Sequence, residues 1–249
     1  MSDSHSLKKS GLCLEKQNWR QAEAILADNP VVVFPLGAAA KEHGPHLPLN
    51  TDAITANWLA EQTRLRLPVV IAPIINASFY PAFVEYPGSI NLQADTARDI
   101  FIDSCQSLAT FGAKRFYVLN NGLSTERPLS MAREVLSGDD IQFEYLKLAN
   151  VFDRLPAGRF KQTYGSHADE HETSLLLHIA PEVVDMSKAV DDGYEGEGLL
   201  SRTPGKGVYS ASGVYGQATL ATAQKGKLVA DLLVDTVLAD IKRLFSLSF

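Results

Sequence analysis

The chain has 249 residues, 45% hydrophobic and 21% charged, enough apolar material for one large core and too much for an intrinsically disordered protein. Its net charge of −6 builds no basic field for nucleic acid or an anionic membrane. The two cysteines, Cys13 and Cys105, make neither a disulfide framework nor a metal-type pair. No run reaches membrane-spanning length and the polar opening stretch carries no hydrophobic signal segment, so a soluble cytoplasmic protein is expected.

Residues 1–12 are polar and read as a flexible arm ahead of one domain over 13–249. Helical spacing begins at Asn18, with Trp19, Ala22, Ile25 and Leu26 on one face. VVVFPLG (31–37) is a β-branched apolar run closed by Pro and Gly, the pattern of a buried strand. A helix follows over 51–67, with Thr51 or Asp52 as its N-cap, and a second buried strand over 69–76. Helix 95–112 ends at Gly112, strand 115–122 at Gly122, and a further helix (127–138) and strand (141–149) repeat the alternation. Helix 171–181, a Gly-rich stretch over 192–216 and a long helix over 218–245, with Gly226 as a possible break, complete the chain. Alternating strands and helices predict an α/β fold, a single-domain three-layer α/β/α sandwich on a mostly parallel sheet. Ligands of such sheets bind beyond the carboxyl ends of the strands, where segments 37–52, 120–126 and 165–172 fall.

The most informative segment is KEHGPHLPLNTD (41–52), which puts Glu42, His43, His46 and Asp52 on an irregular Gly/Pro backbone. Imidazoles and carboxylates are the ligands zinc and manganese take. The competing reading is a polar loop whose histidines satisfy nearby backbone groups, with Asp52 a plain N-cap. His46 is suited either to ligate or to orient a ligand through a hydrogen bond, and the second role is favoured. In GSHADEHETS (165–174), His167 and His171 share a helix face if the helix begins near His167. If it begins later, His167 stands on the loop as a general base. A capping box explains Asp169 and Glu170 without any chemistry. His178 reads as structural. NNGLSTERP (120–128) offers Asn121 and Gly122 to a substrate and Glu126 as a further carboxylate, or is an ordinary strand-to-helix turn. No GxSxG elbow and no phosphate-binding or dinucleotide glycine pattern is present.

HGPHLPLNTD, together with PLG (35–37), YPGSINL (86–92), NNG (120–122), HADEHETS (167–174) and GVYGQATLATAQKG, resembles the creatininase (creatinine amidohydrolase) family in motif order across most of the chain. The resemblance implies a three-layer α/β protein, a homo-oligomer and often a hexamer, which hydrolyses C–N bonds of small cyclic or formyl amides or trims a peptide at a zinc/manganese site of one or two ions. It implies a ligand role for His43, a bridging role for Asp52, an acid–base role for His167 and a carboxylate near the site at Glu172. The family's glutamate two places before the histidine is Lys41 here, with Glu42 one step on and able to bulge into the ligand position. Its histidine after Asn-Gly is Leu123, and its glutamate two places later is Thr125, with Glu126 next. Leucine offers no lone pair, so Leu123 is expected in apolar packing and three outcomes stay open: Glu126, His171 or solvent makes up the coordination, one ion is bound instead of two, or the site is degenerate. These departures leave two expectations: a metal-dependent amidohydrolase acting on non-peptide C–N bonds, or a family member that has lost catalysis and binds small molecules or assembles.

Overall fold

The structure, a computed structural model, describes residues 10–193 and 196–246. In chain order the strands and helices are β1 (Leu12–Cys13), α1 (Trp19–Ala27), β2 (Val31–Leu36), α2 (Thr51–Arg66), β3 (Val70–Ile71), α3 (Ala94–Ala109), β4 (Arg115–Asn120), α4 (Glu126–Ser137), β5 (Gln142–Tyr145), α5 (Ala149–Phe152), α6 (Glu170–Ile179), the two-residue strands β6 (Asp191–Asp192), β7 (Leu200–Ser201), β8 (Val208–Tyr209) and β9 (Gly216–Gln217), and α7 (Ala223–Ser246). The main sheet is parallel throughout, in the order β1-β3-β2-β4-β5.

Both faces of the sheet are covered because successive side chains of its central strands point opposite ways. Val31, Val33, Tyr117 and Leu119 pack with Leu59 of α2 and Val229, Leu233 and Val237 of α7. Val32, Phe34, Phe116 and Val118 pack on the other face with Leu26, Phe101, Cys105 and Leu129 of α1, α3 and α4. This is the three-layer α/β/α sandwich expected. From β2 the chain steps through α2 to β3 on one side, then through α3 to β4 on the other. The carboxyl ends of β2 and β4 therefore flank the point where strand order reverses, which is where open α/β sheets bind ligands.

Several expectations need correction. Residues 1–9 of the expected arm lie outside the described residues, and its end is not loose. The Gly11 amide donates to the Arg64 carbonyl, and Leu12 pairs with Val70 as an edge strand. Strand 69–76 shrinks to Val70–Ile71 and a bridge between Leu36 and Ile75. Segment 141–149 is strand only to Tyr145, and α5 begins at Ala149. Trp19 is 69% exposed and Leu26 is the buried residue of α1. Gly226 is not a break but a buried residue inside α7: a Cβ there would meet the Ser174 carbonyl oxygen at 1.8 Å, so it lets α6 and α7 approach closely. No helix among the described residues is long and apolar enough to cross a membrane.

Candidate metal centre and cavity

The loop after β2 turns back on itself and enters α2, whose N-cap is Asn50. Thr51 and Asp52 are therefore inside the first turn and fully buried. Asp52 is not the cap, and its carboxylate is turned to the loop. Its Oδ2 lies 2.7 Å from Lys41 Nζ and its Oδ1 3.0 Å from His43 Nε2. Burial pushes the Asp52 carboxyl up, and the Lys41 and His43 charges outweigh that and hold it below the usual carboxylate range.

His43 is fully buried, with Nδ1 2.8 Å from the Lys41 carbonyl oxygen. A carbonyl only accepts, so Nδ1 carries the proton and donates. Nε2 then faces Asp52 Oδ1 and, at 3.5 Å, Glu172 Oε1. A lone pair between two carboxylates is unfavourable unless that nitrogen is protonated or a cation sits there. Burial and Lys41 lower the pKa of His43, but Asp52 and Glu172 outweigh them and raise it to about 9.

α6 begins at Glu170, and its N-cap Asp169 accepts from the His171 and Glu172 amides. His167 thus precedes the helix, as the second of the two readings held, and does not share a face with His171. It sits on a loop bridged antiparallel to Tyr215. Ala168 between them is buried and left-handed at φ 48°, a conformation that costs a non-glycine residue about 1–2 kcal/mol. The same turn sends the Ala168 amide to Glu172 Oε2 at 2.7 Å. His167 Nε2 donates to the Glu42 carbonyl at 2.9 Å and to Glu42 Oε2 at 3.1 Å. Nδ1 is left facing Glu172 Oε2 at 3.6 Å.

Glu42 does not take the ligand position that the extra loop residue suggested. Its carboxylate accepts from the Gly44 amide and from His167, and it presses on Gly213, where a Cβ would meet Glu42 Oε1 at 2.0 Å. Burial raises its pKa, but these hydrogen bonds and the nearby histidines bring it below normal. Only glycine, at φ 89°, fits that place. Among the described residues, the ligand atoms of His43, His167 and Glu172 alone form a set of three or more within 4.8 Å of one another. Both imidazoles have their other nitrogen fixed on a backbone carbonyl, the outer-shell arrangement that orients metal-binding histidines. Burial raises the Glu172 carboxyl, and His43 and His167 reverse this and hold it far below its usual range.

A cavity of about 470 Å³ opens beside this cluster and is lined by Lys41, His167, His171, Glu172, Asn121 and Gly122. Its remaining wall is largely apolar, with Phe83, Phe152, Leu175 and Leu199. Asn121 and Gly122 reach it because Thr125, buried, hydrogen-bonds Asn120 and the Gly122 carbonyl and pins the turn after β4. Asn121 Nδ2 also donates to the Asp52 carbonyl at 3.3 Å.

Four expectations are not met here. Leu123 is 52% exposed on the cavity wall rather than packed away, because the turn projects it beyond the sheet edge. Glu126 is the first residue of α4 and lines neither the cavity nor the cluster. His171 lines the cavity but does not join the converging ligand atoms: its Nδ1 lies 3.1 Å from Asp169 Oδ2 and 2.9 Å from Gln162 Nε2, and its ring sits by Phe152 and Phe160. His46 touches none of the three ligand side chains through a hydrogen bond. Its Nε2 pairs with Thr173 Oγ1 at 2.8 Å, and burial lowers its pKa to about 4.

Sequence reasoning missed Lys41 as a site residue, although a lone lysine in the apolar run GAAAKEHG directly after a buried strand was a usable signal. It also missed the wall supplied by Leu199, Leu200 and Tyr215, since the Gly-rich stretch reads locally as turns.

Comparison with known proteins gives a consistent picture. The family described as Creatininase: Creatinine amidohydrolase matches residues 15–241. The mycofactocin precursor peptide peptidase of Mycobacterium ulcerans (strain Agy99) is 28% identical over 86% of this chain and 85% of its own length. The creatinine amidohydrolase of Pseudomonas putida is 24% identical over 91% of this chain and 95% of its own. Among solved structures, a creatinine amidohydrolase (creatininase) superposes with a TM-score of 0.77 at 22% identity, covering 97% of this chain and 100% of that one. A structure described as creatininase Mn gives 0.75 at 21% identity over 94% and 98%.

Proposed function

Since the chain belongs to the creatininase family, we propose that it is a hydrolase cleaving the C–N bond of a small amide, using one zinc or manganese ion held by His43 Nε2, His167 Nδ1 and Glu172. One observation carries this reading: three ligand atoms converge beside a cavity, and each histidine is aimed by a carbonyl on its far nitrogen. Two imidazoles and a carboxylate with an open fourth direction are a donor set suited to a catalytic zinc. Bound there, the ion supplies Lewis-acid polarisation of an amide carbonyl and activation of water.

The chain's own residues do the rest. The Lys41 and Glu42 carbonyls fix the tautomers of His43 and His167. With Nδ1 given to the ion, His167 serves as a ligand rather than as the acid–base group that the family resemblance implied. On the cavity wall, His171 has Nδ1 held between Asp169 and Gln162, and it is the group left to pass a proton to the departing nitrogen, a step typically contributing about 10²–10⁴-fold. Asn121 and Gly122 position the amide, and the apolar walls favour a cyclic or formyl amide with a hydrophobic substituent. We further propose a cytoplasmic homo-oligomer. Exposed Leu49, Val84 and Ile90 support the assembly, which light scattering tests.

The experiment is to load the purified chain with Zn²⁺ or Mn²⁺, count ions by plasma emission, and assay formyl amides, cyclic amides and short peptides. One ion per chain with amine release is expected, with the ion lost in His43→Ala, His167→Ala and Glu172→Ala. His171→Gln should keep its ion and lose about 10²-fold or more in kcat. An ion-loaded chain inert towards every amide would favour the non-catalytic binding protein instead.

A further inference from the structure

We infer that Lys41 is a cation built into the site: its ammonium holds Asp52 in place of a second metal ion, so the centre accepts one exchangeable ion and not two. Every position around Asp52 bears on this. Lys41 Nζ lies 2.7 Å from Asp52 Oδ2, and both side chains are at most 5% exposed. The ammonium also sits 4.9 Å from the Phe83 ring centre and 5.4 Å from that of Tyr80, faces that attract a cation. The other Asp52 oxygen, Oδ1, lies 3.0 Å from His43 Nε2 and so faces the one ion that nitrogen would hold, not a second. A divalent ion on Oδ2 would have to share that oxygen with a full positive charge, in a buried setting where the repulsion is poorly screened.

The other groups nearby are engaged elsewhere or carry no ligand atom, so a second ion would have to draw on positions 41 and 52. Leu123 has no donor atom. Thr125 turns its hydroxyl to Asn120 and Gly122. Glu42 faces His167 and Gly44, and Glu126 lies outside the cavity. Charge, by contrast, is already balanced at Asp52 by a residue that cannot dissociate. Asp52 is therefore a partner of Lys41 rather than a bridging ligand. The ammonium has three donors, of which Asp52 uses one, and Lys41 lines the cavity.

The inference rests on the single-ion reading above but is tested without any substrate. The full-length chain is saturated with Zn²⁺ and its ions counted by native mass spectrometry. Wild type should hold one ion. Lys41→Glu, which sets a carboxylate beside Asp52, should hold two, and its melting temperature should rise with Zn²⁺ by more than that of wild type. Two ions in wild type, or one in a folded Lys41→Glu chain, overturns the inference. Should Lys41→Glu not fold, Lys41→Arg and Lys41→Met separate charge from size. Arg should keep the ion-free melting temperature near that of wild type, and Met should lower it by several degrees. Equal melting temperatures for the two also overturn the inference. Correct ion counts with no amide hydrolysis would sink the proposed activity and leave Lys41 in its role, whereas hydrolysis with two ions would do the reverse.

Discussion

Asp52 and His46 are buried polar side chains a few residues apart in one loop–helix segment, and they respond to perturbation in opposite ways. Asp52→Asn would leave the Lys41 ammonium buried without its counter-charge. Removing one partner of a buried pair typically costs about 3–5 kcal/mol, and urea unfolding should show a loss of that size. The ion count should stay at one if the ion is held, as proposed, by His43, His167 and Glu172. His46 acts through protons. Its folded pKa is lowered to about 4 from 6.5 by burial, so the folded chain binds fewer protons than the unfolded one between those values. Its contribution to stability is complete above pH 6.5 and is lost as pH falls towards 4. A depression of this size corresponds to about 3 kcal/mol at most. His46→Gln should flatten the melting temperature over that window while leaving the carboxylate-driven fall below about pH 4 in place.

At the scale of elements, the first turn of α6 joins a helix cap to residues of the proposed site. Asp169 caps the helix through Oδ1 and meets His171 and Gln162 through Oδ2. Asp169→Ala should cost about 1 kcal/mol for the lost cap, within the usual range of about 0.5–2, and should also lower kcat by freeing the His171 ring. Asp169→Asn keeps a capping oxygen and should recover most of the stability without restoring full activity. Thermal melts beside steady-state kinetics separate the two effects. Helix α6 could be recognised from its apolar spacing, and its cap from the run of acidic residues. The side on which His167 falls was not legible, because a shift of three residues in a helix start exchanges a ligand on a helix face for one on a loop.

For the whole molecule, an ion held as proposed would tie together the β2–α2 loop, the 161–169 loop and α6, parts of the chain distant in sequence. Chelation should therefore lower the melting temperature, and re-addition of Zn²⁺ should restore it in a concentration-dependent way. The expected stabilisation is about 2.7 kcal/mol when the free ion is a hundredfold above its dissociation constant. The effect should shrink at acid pH, where protons compete for both imidazoles. A melting temperature indifferent to chelator at pH 8 would contradict an ion at this site.

Strand and helix alternation, the buried β2 run and the grouping of His43, Asp52, His167 and Glu172 near strand ends were all determined by the sequence, since periodicity and motif order are local properties of the chain. The sequence also showed that Lys41, Leu123 and Thr125 stand where the related motifs carry ligands. What it did not determine was the partner of each group. That Asp52 faces Lys41, that Glu42 turns to His167 and Gly213, that Glu126 lies outside the cavity and that Leu123 stands on its wall are consequences of how β2, β4 and α6 meet at the switch in strand order. Ligand sets depend on distances of a few ångströms between atoms far apart in the chain. Only packing of the two faces of the sheet fixes those distances, so the kind of centre this chain carries is a property of the tertiary structure.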